Sequence, residues 1–351
     1  MYAASTPHGA ALQRTRGPHP LPLFLALAAQ VADGDAARLA RILAGVRAYQ
    51  AHGYRRELPV MPEVARIGCV TLRDYGGDGR PVVVVPSLIN PPHVLDLAPG
   101  NSMLRWLAAQ QLRPLLVDWG TPGEAEEELS LGEYITDRLV PLIAGATPRA
   151  ALLGYCIGGT LALAAAQLVP VARLALLATP WRFAGYSDAA RAEIASLWTV
   201  NAGIAATLGG FPIELLQPAF WQLDPAALMA KFEHFPSLAP AAAAAFAALE
   251  DWANDGPPLP IGVARDMFQQ LFAADLPGTG AWVVGGVDVD PARLGVPLLD
   301  VVSTRDRIVP AATSVNVGER LDLDLGHVGM VVGSRARGAL WEPLAAWLRA
   351  D

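Results

Sequence analysis

The stretch Ala151-Leu152-Leu153-Gly154-Tyr155-Cys156-Ile157-Gly158-Gly159-Thr160 constrains this chain more than any other. An apolar run ends in Gly-x-Cys-x-Gly-Gly and passes at once into Leu161-Ala162-Leu163-Ala164-Ala165-Ala166, a helix-forming segment. The order strand, tight turn, helix is that of a nucleophile elbow, in which small residues two before and two after the nucleophile relieve a strained turn. Sulfur in place of a hydroxyl matters chemically. A thiolate is the better attacking group, and its thioester exchanges readily with other thioesters.

Two partners for the cysteine follow in chain order. Pro297 to Ser303 reads as a buried strand, and Asp306 lies in the loop just past its C-terminal end, where open α/β sheets place their sites. Leu321-Asp322-Leu323-Asp324-Leu325 alternates like a strand and delivers Gly326-His327-Val328-Gly329, a histidine between glycines. The expected roles are Cys156 as nucleophile, His327 as base and then acid, and Asp306 as the group that fixes the imidazole. Loop 86–92 is expected to supply one oxyanion N–H, from Ile89, and the helix start a second, from Ile157.

Each residue also has a plainer reading. Cys69 is taken as a small core hydrophobe. Asp306 alone reads as a turn residue or helix cap, and His327 alone is ambiguous. Their joint order, each after an expected strand, favours the catalytic reading. His8, His19, His52, His93 and His234 lack such a setting.

These segments resemble the polyhydroxyalkanoate synthases, a Cys-His-Asp branch of the α/β-hydrolases. Val82-Val83-Val84-Val85-Pro86-Ser87-Leu88-Ile89-Asn90-Pro91-Pro92, Leu115 to Pro122 with its Asp118-Trp119-Gly120, Leu131-Gly132-Glu133-Tyr134-Ile135 and Glu250 to Asp255 carry the likeness. It runs from about residue 60 to the C-terminus. The resemblance implies an α/β-hydrolase fold, acylation of Cys156 by a hydroxyacyl-CoA with release of CoA, and attack by a second unit's hydroxyl to extend a polyester. It also implies a growing polyester or granule surface as partner, and either a homodimer or a non-catalytic second subunit, as the family's short catalytic subunits have. Ile157 stands where family elbows commonly have glutamine, and the stretch from Asp306 to His327 is short for the family. A Cys-dependent hydrolase, of the thioesterase or dienelactone-hydrolase kind, is the alternative enzyme. A non-enzymatic granule scaffold is the alternative class, which the ordered triad argues against.

The 351 residues suffice for one large α/β domain with an insertion. The chain is 53% hydrophobic, yet no apolar run reaches the roughly 18 residues of a membrane span. Such a composition points to a large core plus an apolar contact surface. The net charge of −7 argues against a nucleic-acid groove. Two cysteines give no disulfide framework and suit the cytoplasm. Neither a metal nor an organic cofactor is expected, since no His/Cys/Asp cluster has ligand spacing and no Gly-x-Gly-x-x-Gly follows a strand.

The expected fold is α/β: a doubly wound, mostly parallel sheet with an inserted cap. Residues 1–18 read as a disordered lead. Residues 19–60 read as a helical segment whose apolar spacing runs from Leu21 through Tyr49, too far for a signal peptide. Residues 61–180 and 291–351 form the core, with a hairpin over 64–80 turning at 74–79 and strands at 82–86, 114–118, 150–154, 173–178 and 297–302. Helices are expected at 101–111, 130–144, 158–168 and 338–350. Residues 181–290, rich in tryptophan and proline, read as the cap that selects apolar acyl groups.

Overall fold

Eight strands build the central sheet of the computed structural model, which describes residues 16–146 and 149–350. They are β1 (Glu63–Ile67), β2 (Val70–Asp74), β3 (Arg80–Val85), β4 (Leu112–Asp118), β5 (Ala151–Tyr155), β6 (Leu174–Leu177), β7 (Leu298–Ser303) and β8 (Glu319–Leu323). The spatial order is β1-β2-β4-β3-β5-β6-β7-β8, antiparallel from β1 through β4 and parallel from β4 to β8. Val82 to Val85 and Ala151 to Leu153 are fully buried, as central parallel strands covered on both faces require. The edge strands carry charge instead, with Glu63 and Arg66 on β1 and Glu319, Arg320 and Asp322 on β8, which discourages pairing with another chain.

The helices that bear on the site are α1 (Leu21–Ala32), α2 (Ala36–Gln50), α3 (Ile157–Leu168), α4 (Asp188–Leu208), α5 (Pro225–His234) and α6 (Pro240–Ala253). Helix α3 follows β5 directly, and α4 to α6 lie in the long excursion between β6 and β7. The C-terminal helical stretch runs from Arg337 to Arg349. Helix α6 is the alanine-rich segment, with Ala243, Ala247 and Ala248 as its buried small residues.

Three local expectations are corrected. The hairpin of β1 and β2 turns at Gly68 and Cys69, where Gly68 takes a left-handed φ of 59°, not at 74–79. Residues 74–79 instead link β2 to β3, and the Asp74 side chain accepts the Gly76 N–H at 2.8 Å. The long N-terminal helix is two helices, because Asp33 and Gly34 both adopt positive φ and Asp35 caps the second through the Arg38 N–H at 2.9 Å. Of the expected lead, residues 1–15 lie outside the described residues, but Arg16 is anchored. Its guanidinium pairs with Asp251 at 2.7 Å and reaches the carbonyls of His52 and Tyr54.

The two N-terminal helices pack on the cap. Phe24, Ile42, Val46 and Tyr49 share a second core with Trp221, Met229, Phe232 and Phe235. Gly45 permits the close approach, since a Cβ there would stand 1.8 Å from the Phe232 carbonyl oxygen.

Candidate active site

Cys156 occupies the junction between β5 and α3 with φ 56° and ψ −136°, a conformation that L-residues rarely adopt. The surroundings hold it there. The Cys156 N–H donates to the Leu177 carbonyl at 2.9 Å, and its own carbonyl accepts the Gly159 N–H at 2.9 Å. The glycines are required by contact. A Cβ on Gly158 would stand 2.2 Å from the Pro86 carbonyl oxygen, and one on Gly159 would stand 1.9 Å from the Thr179 hydroxyl. A Cβ on Gly154 would meet the Gly159 Cα at 2.3 Å. The Gly-x-Cys-x-Gly-Gly pattern thus reflects how closely α3 is pressed onto β3 and β5.

His327 and Asp306 sit on the loops after β8 and β7, as expected, and both are buried. The Asp306 Oδ1 accepts the N–H groups of Ile308 and Val309, each at 2.8 Å. Its Oδ2 is left for His327 Nδ1–H at 2.5 Å, which orients the ring and fixes the tautomer. Cys156 is a charge neighbour of the same imidazole and acts on its pKa. Burial pulls the His327 pKa down. The charge on Cys156, the hydrogen bonds to Asp306 and Cys156 and the Asp306 charge together outweigh it, raising the pKa to about 10. Asp306 and His327 form a hydrogen-bonded pair, and His327 and Cys156 line the same cavity. Of the other nearby carboxylates, Asp300 lies within β7 and accepts the Asn316 N–H at 2.9 Å, while Asp324 is exposed beside Arg305.

The two expected oxyanion donors differ. Ile157 is the first residue of α3, so its N–H has no intrahelical acceptor. The Ile89 N–H donates to the Ser87 hydroxyl at 3.2 Å and is engaged within its own loop. Both residues, with Ser87, line the cavity that opens over Cys156.

Two tyrosines were not singled out from sequence. Tyr155 stacks on the His327 ring, and its hydroxyl donates to the His327 carbonyl. Tyr186 donates to the Ile308 carbonyl at 3.0 Å and ties the start of the insertion to the Asp306 loop. Burial, reinforced by the charges of Cys156 and Asp306, holds both phenols well above their usual pKa. The sequence signal for Tyr155 was its place directly before the cysteine, at the end of a strand that ends against the histidine loop.

The cavity has a volume of about 930 Å³ and is lined by Cys156 and His327 on the sheet side. Ile194, Leu197, Phe220, Trp221, Trp252 and Phe268 line it from the insertion. Lys231 and Glu250 add a charged pair to that wall. Among the described residues, no three His, Cys, Asp or Glu side chains gather as a metal set. No helix among them is long and apolar enough to cross a membrane.

The fold is shared with a thermophilic esterase from Thermogutta terrifontis (TM-score 0.50, 18% identity, covering 83% of this chain and 97% of that one). It is shared equally with a putative non-heme bromoperoxidase from Mycobacterium tuberculosis (TM-score 0.52, 16% identity, covering 82% and 100%). With the strand order above, these make the architecture an α/β-hydrolase fold. No family model matches the chain. Several relatives by sequence are poly(3-hydroxyalkanoate) polymerases. The poly(3-hydroxyalkanoate) polymerase subunit PhaC of Haloferax mediterranei is 27% identical over 291 residues, and that of Allochromatium vinosum is 28% identical over 289. The Synechocystis subunit is 27% identical over 291 residues. By sequence the chain is similar to these polyhydroxyalkanoate polymerase subunits. Its match covers 76% of this chain in all three cases, but 58% of the Haloferax relative against 80% of the Allochromatium one. The cysteine elbow, the glycine-flanked histidine and the Trp252 segment all lie beyond residue 60 of the chain.

Proposed function

We propose that this protein is a polyhydroxyalkanoate synthase-like acyltransferase working through Cys156, His327 and Asp306. The observation that carries the reading is the hydrogen-bonded Asp306–His327 pair beside an elbow cysteine, facing a cavity with apolar walls, in a chain related to polyester polymerase subunits. The Cys156 thiolate attacks the thioester carbonyl of a hydroxyacyl-CoA. The carbon–sulfur bond to CoA breaks, and the CoA sulfur leaves with a proton from His327. His327 next takes the proton from the hydroxyl of another acyl unit. That oxygen attacks the Cys156 thioester, an ester bond forms, and the cysteine sulfur leaves. Asp306 keeps the ring oriented and stabilises the imidazolium. The N–H of Ile157 holds the oxyanion, joined by that of Ile89 once the Ser87 hydroxyl turns away. No metal or organic cofactor enters these steps; coenzyme A is carried by the substrate. The setting that fits is the cytoplasm, at the surface of a polymer granule, with a second copy or a non-catalytic subunit alongside.

The test is incubation with 3-hydroxybutyryl-CoA, following free CoA together with polymer and free acid. Polymer and CoA are expected from the wild type and neither from Cys156→Ala, whose fold is retained. CoA with monomeric acid alone would replace the synthase reading by a hydrolase.

A further inference from the structure

Lys231 is the only lysine in a chain whose other strongly basic side chains are all arginine. It projects from α5 into the wall of the cavity that Cys156 and His327 share. Its Nζ donates to Glu250 Oε1 at 2.5 Å. The carboxylate is 6% exposed and the lysine side chain 40% exposed. The same cavity is lined by Trp221, Leu228, Trp252 and Ala253, and by Gln217 and Asn254, whose amides donate to the Ala253 and Glu250 carbonyls.

A buried carboxylate in such a wall is strongly unfavourable without a cation, so Lys231 is held in place by Glu250. An ammonium is a compact group with three N–H donors and no acceptor, and Glu250 accepts one of them. The pair is neutral overall, and an incoming anion would meet Glu250 as well as Lys231. The ligand chemistry that suits it is therefore a neutral acceptor, such as a carbonyl oxygen. An oligoester of hydroxy acids carries one ester carbonyl in every unit, whereas an alkyl chain of equal length offers the cavity no acceptor.

We propose that Lys231, positioned by Glu250, is a specificity determinant that donates to an ester carbonyl of the bound chain and so selects oligoester over plain alkyl chains. This rests on the reading that the cavity takes hydroxyacyl chains.

The test is binding to the full chain carrying Cys156→Ala, so that turnover does not interfere. Quenching of tryptophan fluorescence reports occupancy, because Trp221 and Trp252 line the cavity. The probes are the methyl ester of a 3-hydroxybutyrate trimer and an n-alkane of matched length. Adding Lys231→Met should weaken the oligoester about tenfold, as loss of one hydrogen bond from a charged donor does, and leave the alkane within about twofold. Lys231→Met with Glu250→Gln removes both charges and should discriminate equally, which keeps the test readable if an unpaired Glu250 unfolds the cap. Equal losses for both probes, or no loss for the oligoester, overturn the proposal. Polymer from the wild type without such discrimination overturns this contact and leaves the synthase reading. Discrimination without polymer keeps the contact and overturns that reading.

Discussion

Tyr155 lies stacked on His327, with ring centroids 5.1 Å apart and planes 26° from parallel, and its hydroxyl donates to the His327 carbonyl at 3.3 Å. The residue before the elbow cysteine thus holds both the ring and the backbone of the histidine, while Asp306 holds the Nδ1 edge. Tyr155→Phe keeps the stack and leaves a buried carbonyl short of a donor, which should lower stability by about 1 kcal/mol with kcat changed only a few-fold. Tyr155→Leu removes both contacts. It should lower kcat about tenfold with little change in KM, because it acts through His327. A raised KM with unchanged kcat would reduce Tyr155 to a packing residue.

Asp306→Asn preserves the side chain's shape but favours the wrong imidazole tautomer. In a serine-protease triad that change costs about 10⁴ in rate, and here a fall in kcat of about 10²–10⁴ is expected by CoA release. Asp324→Asn is the control. It removes an exposed pair with Arg305 at 3.7 Å, of a kind worth about 0–1 kcal/mol, and should leave kcat within about twofold. A silent Asp306→Asn beside a severe Asp300→Asn would show that the acid is misassigned.

Gly158→Ala places a Cβ 2.2 Å from the Pro86 carbonyl oxygen and 2.3 Å from that of Val85, both backbone atoms that cannot swing aside. Denaturant unfolding should show a loss of about 1–3 kcal/mol, and the displaced elbow should lose activity with it. Gly145→Ala meets no atom within 4 Å and lies within a helix, so a gain of about 0.4–1 kcal/mol is expected. Equal stability of the two variants would mean that the elbow is loosely packed.

The sheet was legible because buried parallel strands are continuous apolar runs, as in Val82 to Val85 and Ala151 to Leu153. Cys156, Asp306 and His327 were legible because each lies just past the C-terminal end of a strand readable from its pattern. The break at Asp33 and Gly34 was not, since α1 and α2 both turn apolar faces to one cap core and the spacing continues across the turn. The hairpin was misplaced because the two-residue turn at Gly68 and Cys69 is weaker in sequence than the glycine cluster after Asp74. The docking of Gly45 against Phe232 has no local signal, since it joins segments far apart in the chain. Nor does the sequence reveal that Lys231 lines the cavity of Cys156, because only the folded cap sets that wall.

The His327 pKa gives a stability test with a defined sign. Its folded value of about 10 lies above the ordinary histidine value of 6.5, so folding favours the imidazolium. The resulting stabilisation is fully present below about pH 6.5 and is lost as pH rises through about 10. In urea unfolding from pH 6 to 10.5, the stability of the wild type relative to His327→Gln should fall with rising pH. A constant or growing difference would contradict the raised value. Of the influences that raise it, the charge on Cys156 is the foremost. Cys156→Ala should therefore move the imidazole titration, followed by NMR of labelled histidine, to lower pH. If the titration stays near 10 without the sulfur, Asp306 alone holds the proton, and the cysteine and histidine do not form a coupled pair.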